Sequence, residues 1–455
     1  MSAANLPHAL SESLSRRDLL KMGAAAMAGA AGLNWLNPGL AAAGTKRPQV
    51  AAIYTQCFYC SHAYHILHPF LGPYLFNGKL LEPQCDVISF YGDQFTDRDL
   101  SRGIAKQFDI PIYKTIREAL CNGGDELAVD AVLSIGEHGD YPDTKYGQTM
   151  YPRKRFFDAI VKVMEESDRF VPLFSDKHFS YRWDWAREMY DTSRKHGFPM
   201  MVGSSVPLAQ RTIPLELPYG TEIEDAVSIH GGPIEKYDIH GLEVLQSMVE
   251  FRKGGETGIS SVQFLKGDDL IKAGKEGRWS MKLAEAAMQA ELGNTKRGLF
   301  DPIGSEGTRE PHGILLEYKD GFRATMLRVG SNGVRWNFAC SIKGEPAPRA
   351  TTFFPGPWGN RNLFRAFAHA IQYLFVNKEE PYPCERTLLM TGALDAAMHS
   401  CFEKGYAKIK TPELEFSYKP KDFNQFREMG KSWDVITADM EPYKDFVVAD
   451  PAPKE

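Results

Sequence analysis

Five short apolar runs, at residues 50–54, 86–91, 128–135, 171–174 and 200–203, constrain this chain's fold more than any other feature. Each is too short for a core helix, and each is bounded by polar residues, Gly or Pro. Continuous apolar runs of that length suit strands covered on both faces, the situation of a parallel sheet. Helical patterns lie between them. The clearest is 183–196, where Trp185 with Met189 and Ala186 with Tyr190 fall one turn apart. Gly197 and then Pro199 stop it. Strand and helix in alternation imply right-handed crossovers and a doubly wound α/β domain, placed at 48–205.

The remainder, 206–440, has a different rhythm. Residues 242–251 and 362–375 read as helices. Residues 314–318 and 324–329 read as a hairpin around Asp320-Gly321, a pair that tolerates positive φ. Residues 334–342 read as a further strand. Helices and antiparallel strands without βαβ alternation indicate an α+β domain with a mainly antiparallel sheet. The stretch 346–359, rich in Pro, Gly and aromatics, reads as a loop, and 441–455 as a polar tail.

Composition removes several function classes. Aromatics make up 12% and the net charge is only −5, so the chain is neither disordered nor a basic nucleic-acid binder. No apolar run reaches the roughly 18 residues of a membrane helix, so the mature form is expected to have no stable span.

The beginning of the chain is read as a leader, not as fold. Residues 15–21 are Ser-Arg-Arg-Asp-Leu-Leu-Lys, followed by a mild Ala/Gly-rich stretch at 22–33 and a small-residue site at Ala41-Ala42-Ala43. Charged segment, weak apolar core and small-residue site are the parts of a secretory signal. The pair Arg16-Arg17 and the low hydrophobicity point to the twin-arginine route, with 1–43 removed and the protein periplasmic or otherwise exported. The twin-arginine machinery is then a partner. All seven cysteines, an odd number, lie beyond this segment, which argues against a complete disulfide framework.

The stretch from Pro381 to Phe416 carries a more specific signal. It contains a proline, an apolar helix ending in Ser400, then Gly405, a short strand at Ile409-Lys410-Thr411, and Pro412. With 104–111 and 115–120 in the first domain, it resembles the Gfo/Idh/MocA oxidoreductase family. The resemblance implies a Rossmann-like domain followed by an α+β domain. It also implies a tightly held NAD or NADP, a sugar- or polyol-like substrate, and compatibility with a homo-oligomer.

Carried over residue by residue, the resemblance marks several positions. Asp176-Lys177-His178 stands where the family has Glu-Lys-Pro, which implies a catalytic role for Lys177 beside Asp176. Gly231-Gly232 followed by His240 and Glu243 resembles the family's second-domain segment and implies His240 as the general base. The spacing is one residue short, and the family's Asp falls on Lys236. A lysine or histidine placed in a crevice is chemically suited to such proton transfer. Ile135-Gly136-Glu137-His138 ends the third run, where ligand contacts gather in α/β sheets, so Glu137 and His138 are further candidates.

One departure weighs against the cofactor. Dinucleotide binding usually places glycines after the first strand so that the pyrophosphate can approach the backbone. Here the turn 54–62 is Tyr-Thr-Gln-Cys-Phe-Tyr-Cys-Ser-His, with no glycine. Thr55, Ser61 and helix amides remain as phosphate contacts, and Asp93 is the nearest acid for a ribose. Two alternatives follow. The first is an exported, non-catalytic ligand-binding protein that has lost dinucleotide binding. The second is a metal enzyme using Cys57, Cys60, His62 and His65, residue types that suit zinc, although a second ligand pair is lacking. A nucleophile elbow is absent, which argues against hydrolysis. The Arg pair ahead of the mild apolar core generates a direct test. Arg16→Lys with Arg17→Lys should block export, which fractionation and immunoblotting of the natively produced protein would check.

Overall fold

Strand formation in the first domain follows from a strict two-residue alternation inside apolar runs. In β1 (Gln49–Tyr54), Val50, Ala52 and Tyr54 enter one core cluster while Ala51 and Ile53 enter another. Successive side chains point to opposite faces, so both faces need cover. The computed structural model describes residues 46–294, 296–307, 309–357, 361–436 and 446. The leader 1–43 and the tail 441–455, except Phe446, lie outside the described residues.

Along the chain follow α1 (His62–Leu71), a small hairpin of β2 (Tyr74–Phe76) and β3 (Lys79–Leu81), β4 (Asp86–Gly92), α2 (Ser101–Phe108), β5 (Ile112–Tyr113) and α3 (Ile116–Leu120). Then come β6 (Ala131–Ile135), α4 (Arg153–Glu166), β7 (Leu173–Asp176), α5 (Trp183–His196) and β8 (Met200–Gly203). The six-stranded sheet has the order β5-β4-β1-β6-β7-β8, with every neighbouring pair parallel. This is a doubly wound Rossmann sheet whose strand order reverses at β1 and β6. Local signals agree with it. Thr115 caps α3 in a reciprocal capping box with Glu118, and Gly197 ends α5 at φ 72°.

The second domain contains β9 (Gln210–Arg211), β10 (Ile223–His230), α6 (Asp238–Val249), β11 (Ile259–Lys266), α7 (Gly267–Lys275) and α8 (Met281–Leu292). It continues with β12 (His312–Tyr318), β13 (Arg323–Arg328), β14 (Trp336–Ile342), β15 (Arg349–Phe354), α9 (Arg361–Asn377), α10 (Glu385–Phe402) and β16 (Ile409–Lys410). Eight strands form one sheet in the order β16-β11-β12-β13-β10-β14-β15-β9. All its pairings are antiparallel except β10 with β13. The expected hairpin is β12–β13, turning at Gly321 with φ 84°.

One expectation fails here. Residues 346–359 do not form a continuous loop, because Arg-Ala-Thr-Thr-Phe-Phe at 349–354 is strand β15, paired with β14. The prolines flank this β-branched and aromatic run instead of interrupting it, which is where a strand tolerates them.

One face of the large sheet packs on α7 and α8 through Leu270, Trp279 and Leu283. Its other face shares a single cluster with the Rossmann sheet, running from Val50 and Phe174 to Phe264 and Met326. Helix α9 takes part in that cluster through Phe364 and Phe367 beside Ala63 and Leu67 of α1. Helix α10 brings a buried ion pair against α6, with Arg386 Nε and Nη2 donating to Glu250 at 3.0 and 2.5 Å. Both side chains are fully buried, and the Tyr418 hydroxyl also donates to Glu250 at 2.7 Å. Removing one member strands the other charge out of water. Arg386→Ala should therefore cost about 3–5 kcal/mol, measured by urea unfolding.

Candidate active site

The crevice beyond the carboxyl ends of β1, β6, β7 and β8 gathers the candidate side chains. Glu137, just after β6, lies between two cations. Lys177 Nζ donates to its Oε1 at 3.0 Å, and Arg153 Nη2 donates to its Oε2 at 2.5 Å. All three are almost fully buried. Burial alone would raise the Glu137 carboxyl, but Lys177 and Arg153 outweigh it and hold the group well below the usual range. Arg153 opens α4, and Lys177 follows the last residue of β7, so one carboxylate ties three elements together.

Asp176, the last residue of β7, receives His62 Nδ1 at 2.6 Å from the first residue of α1. His62 in turn lies edge-on to His138 with ring centres 5.2 Å apart. His138 has a buried Nε2 without a hydrogen-bond partner, and burial and His62 bring its ring down to about 4. The second domain contributes His240 from the first turn of α6. Its Nδ1 stands 2.6 Å from Ser204 Oγ, which also accepts from the Val206 amide at 3.0 Å. Burial, Lys177 and His62 depress the His240 imidazole far below its ordinary value, so it is neutral at pH 7. Lys177, Asp176 and His240 thus share one crevice with Glu137 and His138.

Three residues here hold left-handed backbone: His138 at φ 70°, Lys177 at φ 68° and Glu235 at φ 63°. Such conformations are costly for side-chain-bearing residues and cluster at functional sites.

The phosphate end is arranged differently. Thr55 donates its amide to Ile135 O at 3.1 Å and its hydroxyl to Glu137 O at 2.5 Å. Ser61 caps α1, accepting from Phe58 N and Tyr64 N at 3.1 and 3.2 Å. Asp93 is enclosed by the hydroxyls of Tyr91 and Tyr141 and by Arg155, each at 2.6 Å. Gln56 donates to Gln94 at 2.8 Å, and Gln94 exchanges two hydrogen bonds with the backbone of Asp140 at 2.8 and 2.9 Å. The loops after β1, β4 and β6 are therefore laced to one another, and Thr55, Ser61 and Asp93 already have protein partners.

The suspected zinc nest does not converge. Among the described residues, Cys57, Cys60, His62 and His65 bring no three ligand atoms within metal-binding reach. A set that does converge is His230, Asp238 and His312, and its hydrogen bonds explain it without an ion. Asp238 Oδ1 lies 2.8 Å from His230 Nε2 and 2.7 Å from His312 Nε2, while its Oδ2 accepts from Glu235 N at 2.7 Å. His230 Nδ1 accepts from Gly232 N at 3.1 Å. That leaves the ring proton on Nε2, where it is donated to Asp238, and a protonated nitrogen cannot ligate a metal. The cluster clamps the start of α6, and hence His240, to β10 and β12.

Sequence reasoning missed Arg153, Ser204, Glu235 and the His62–Asp176 pair. Their partners are distant in sequence, and only the Tyr-Pro-Arg start of a helix signalled Arg153.

No family model matches the chain, and no curated protein matches it. Solved structures do. GenD2 from gentamicin A biosynthesis, in complex with NAD, matches with TM-score 0.50 and 11% identity over 83% of this chain and 99% of its own. The chain has the fold of the Gfo/Idh/MocA-type dehydrogenases. The myo-inositol dehydrogenase of Lactobacillus casei, in complex with NAD(H) and myo-inositol, is 13% identical at TM-score 0.49, covering 84% and 100% of the two chains.

The clamp generates a test. In Asp238→Asn the new amide group would face the Glu235 N–H donor or the imidazole donors, leaving one buried group unpaired. We expect a loss of about 1–3 kcal/mol in urea unfolding.

Proposed function

We propose that the protein is an exported oxidoreductase that uses a nicotinamide dinucleotide to oxidise or reduce a hydroxyl-rich small molecule of the sugar or polyol kind. The observation that carries this reading is the buried Lys177–Glu137 pair at 3.0 Å, at the carboxyl edge of a Rossmann sheet, with neutral His240 facing it from the second domain. Ligands of such sheets bind at this edge, where the strand order reverses. The NAD-bound GenD2 supports the fold side of the reading.

The division of labour follows from the side chains. A bound nicotinamide supplies the place where hydride is accepted or returned. Lys177, anchored by Glu137, presents an ammonium N–H to the reacting oxygen and stabilises negative charge there. His240 exchanges the hydroxyl proton. In the reduction direction the ring, protonated at both nitrogens with its Nδ1–H held by Ser204, gives the Nε2 proton to the substrate oxygen and returns to its neutral form. In the oxidation direction Ser204 accepts from Nδ1 and leaves Nε2 free as the base. His62, His138 and Asp176 supply further polar contacts for a many-hydroxyl substrate.

A specific observation favours a second reading, a ligand-binding protein without a dinucleotide. The Gln56–Gln94–Asp140 lacing and the enclosed Asp93 occupy the polar groups expected to receive phosphate and ribose. A dinucleotide in the usual pose needs those hydrogen bonds exchanged for its own.

Mass spectrometry of the denatured, natively produced protein decides between them. A stoichiometric dinucleotide supports the enzyme; its absence, with no calorimetric binding of millimolar NAD or NADP, supports the binding protein. With a sugar and polyol panel that includes myo-inositol, Lys177→Met and His240→Ala should each lower turnover about 10²–10⁴-fold in a folded protein, the thermal midpoint staying near wild type for His240→Ala and falling for Lys177→Met, which takes one of the two cations from Glu137.

A further inference from the structure

Glu243 is fully buried on α6, and neither of its carboxyl oxygens makes a hydrogen bond. An unpaired carboxyl in the interior normally costs stability unless the group is put to use. It stands three residues after His240, on the same face of the helix. The segment after β8 packs against that face. A Cβ on Gly203 would come within 3.2 Å of Glu243 Oε2, so the glycine is what lets helix and loop approach. The next residue is Ser204, whose amide is among the groups that favour the ionised carboxyl.

Hydrogen-bond capacity links the three side chains. A hydroxyl has one proton and two lone pairs. Ser204 Oγ lies 2.6 Å from His240 Nδ1 and accepts from Val206 N at 3.0 Å. When His240 carries its proton on Nδ1, both lone pairs of Ser204 are filled and its own proton needs an acceptor. An ionised Glu243 is that acceptor. When His240 carries its proton on Nε2, Ser204 donates to Nδ1 and one of its lone pairs is open. A protonated Glu243 fills it. The other hydroxyl beside Glu243, that of Thr387, gives its proton to Val202 O at 2.9 Å and so can only accept from the carboxyl. Both arrangements satisfy all three residues, and the link from Ser204 to Glu243 closes directly or through one water molecule.

We propose that Ser204 and Glu243 form a relay that carries the substrate proton onward from His240, with Glu243 the buried group that holds it. The proposal rests on the oxidoreductase reading for its reaction, whereas the coupling of His240 to Glu243 needs no substrate. In oxidation the substrate C–H bond breaks with loss of hydride to the oxidised nicotinamide, and the O–H bond breaks as its proton binds His240 Nε2. The Nδ1–H bond then breaks as Ser204 takes that proton, and the former hydroxyl proton of Ser204 binds the Glu243 carboxylate. One proton has left the substrate oxygen and one has arrived at Glu243. In reduction the same proton returns through Ser204 to Nδ1, which makes the doubly protonated ring that gives its Nε2 proton to the substrate oxygen.

The surroundings of the two ends set the direction of the transfer. Arg386 faces Glu243 from α10, Tyr382 from just before that helix, and Glu250 from the far end of α6. Burial raises the Glu243 carboxyl to about 7, with Arg386 opposing the rise. His240 faces Lys177, His62, Glu137 and His230, with His178 beside it. Burial, then Lys177 and His62, drive its imidazolium form far below the ordinary range. A second proton on the ring therefore moves downhill to an ionised Glu243. Oxidation needs the carboxylate, which is present above about 7 and lost as pH falls through that value. Reduction needs the acid, which is present below about 7 and lost as pH rises through it.

The first measurement needs no substrate. Nitrogen-15 NMR of the histidine-labelled protein, with His240→Ala identifying the resonances, should show a neutral ring that changes from the Nε2–H to the Nδ1–H tautomer as pH rises through about 7. Glu243→Gln, whose amide can only donate toward Ser204, should hold the Nε2–H tautomer throughout. Ser204→Ala, a smaller change, should remove the pH dependence as well. A tautomer that stays constant through neutrality, or one that still switches in both variants, overturns the relay. The second measurement uses the panel substrate with the highest turnover, followed in both directions. The oxidation rate should rise and the reduction rate fall through neutrality. Glu243→Gln should abolish both limbs and lower kcat about 100-fold with little change in KM. A Glu243→Gln enzyme with wild-type kcat and both limbs intact overturns the relay. A constant tautomer in a protein loaded with dinucleotide counts against the relay alone, whereas a switching tautomer in a protein that binds no dinucleotide counts against the oxidoreductase reading alone.

Discussion

Glu137 and the two cations that grip it are the interaction on which the rest of the site depends. A carboxylate buried without partners would protonate or unfold its surroundings, since removing its hydration costs several kcal/mol. Lys177 and Arg153 keep it ionised. In return it fixes the loop after β7 and the start of α4 relative to β6. The Thr55 hydroxyl, bonded to the Glu137 carbonyl, adds the turn after β1 to the same assembly. Four strand or helix ends therefore meet at one residue, and the left-handed backbone of Lys177 and His138 is tolerated because these contacts over-determine it.

The second domain meets this assembly through one helix. Asp238 clamps the first turn of α6 to β10 and β12, which sets His240 against Ser204 and Glu235 against His178. Further along, Glu243 lies fully buried, and Gly203 keeps a backbone there that a Cβ would push into Thr387 Oγ1 at 2.6 Å. Burial raises the Glu243 carboxyl to about 7. At the far end Glu250 pairs with Arg386 of α10. Helix α6 is thus polar along a wholly buried length: Asp238 at its start and Glu250 at its end are matched to specific partners, while neither carboxyl oxygen of Glu243 makes a hydrogen bond. The two paired ends fix its position, because a shift would leave Asp238 or Glu250 unpaired.

At the other end of the crevice the same economy of hydrogen bonds works against an incoming phosphate. In a glycine-rich turn the backbone amides are left for the ligand. Here Thr55, Gln56 and Ser61 have side chains that bond within the protein, and Gln94 completes a bridge to the loop after β6. The fold is that of the dehydrogenases, while this turn has chemistry of its own.

The closing helix came from the family resemblance and the two-residue β5 went unread, but the other five strands of the Rossmann sheet, the stop of α5 at Gly197 and the Asp320-Gly321 turn were legible in the residues themselves. Each depends on local periodicity or on a conformation that one residue type prefers. The apolar content of 349–354 was equally local, but the neighbouring prolines masked it until β14 supplied its pairing partner. Within the site, sequence alone placed Lys177, His240, Glu137 and His138 at strand and helix ends that a crevice can use. The partners were another matter. His62 with Asp176 and Arg153 with Glu137 are separated by 114 and 16 residues, while His178 and Glu235 lie on different domains. Spacing along the chain carries no information about contacts that form only when two domains close on one core. For the same reason the cysteines and histidines of 57–68, so suggestive in a row, point to different places once wrapped around a turn and a helix, whereas His230, Asp238 and His312 meet from three separate elements.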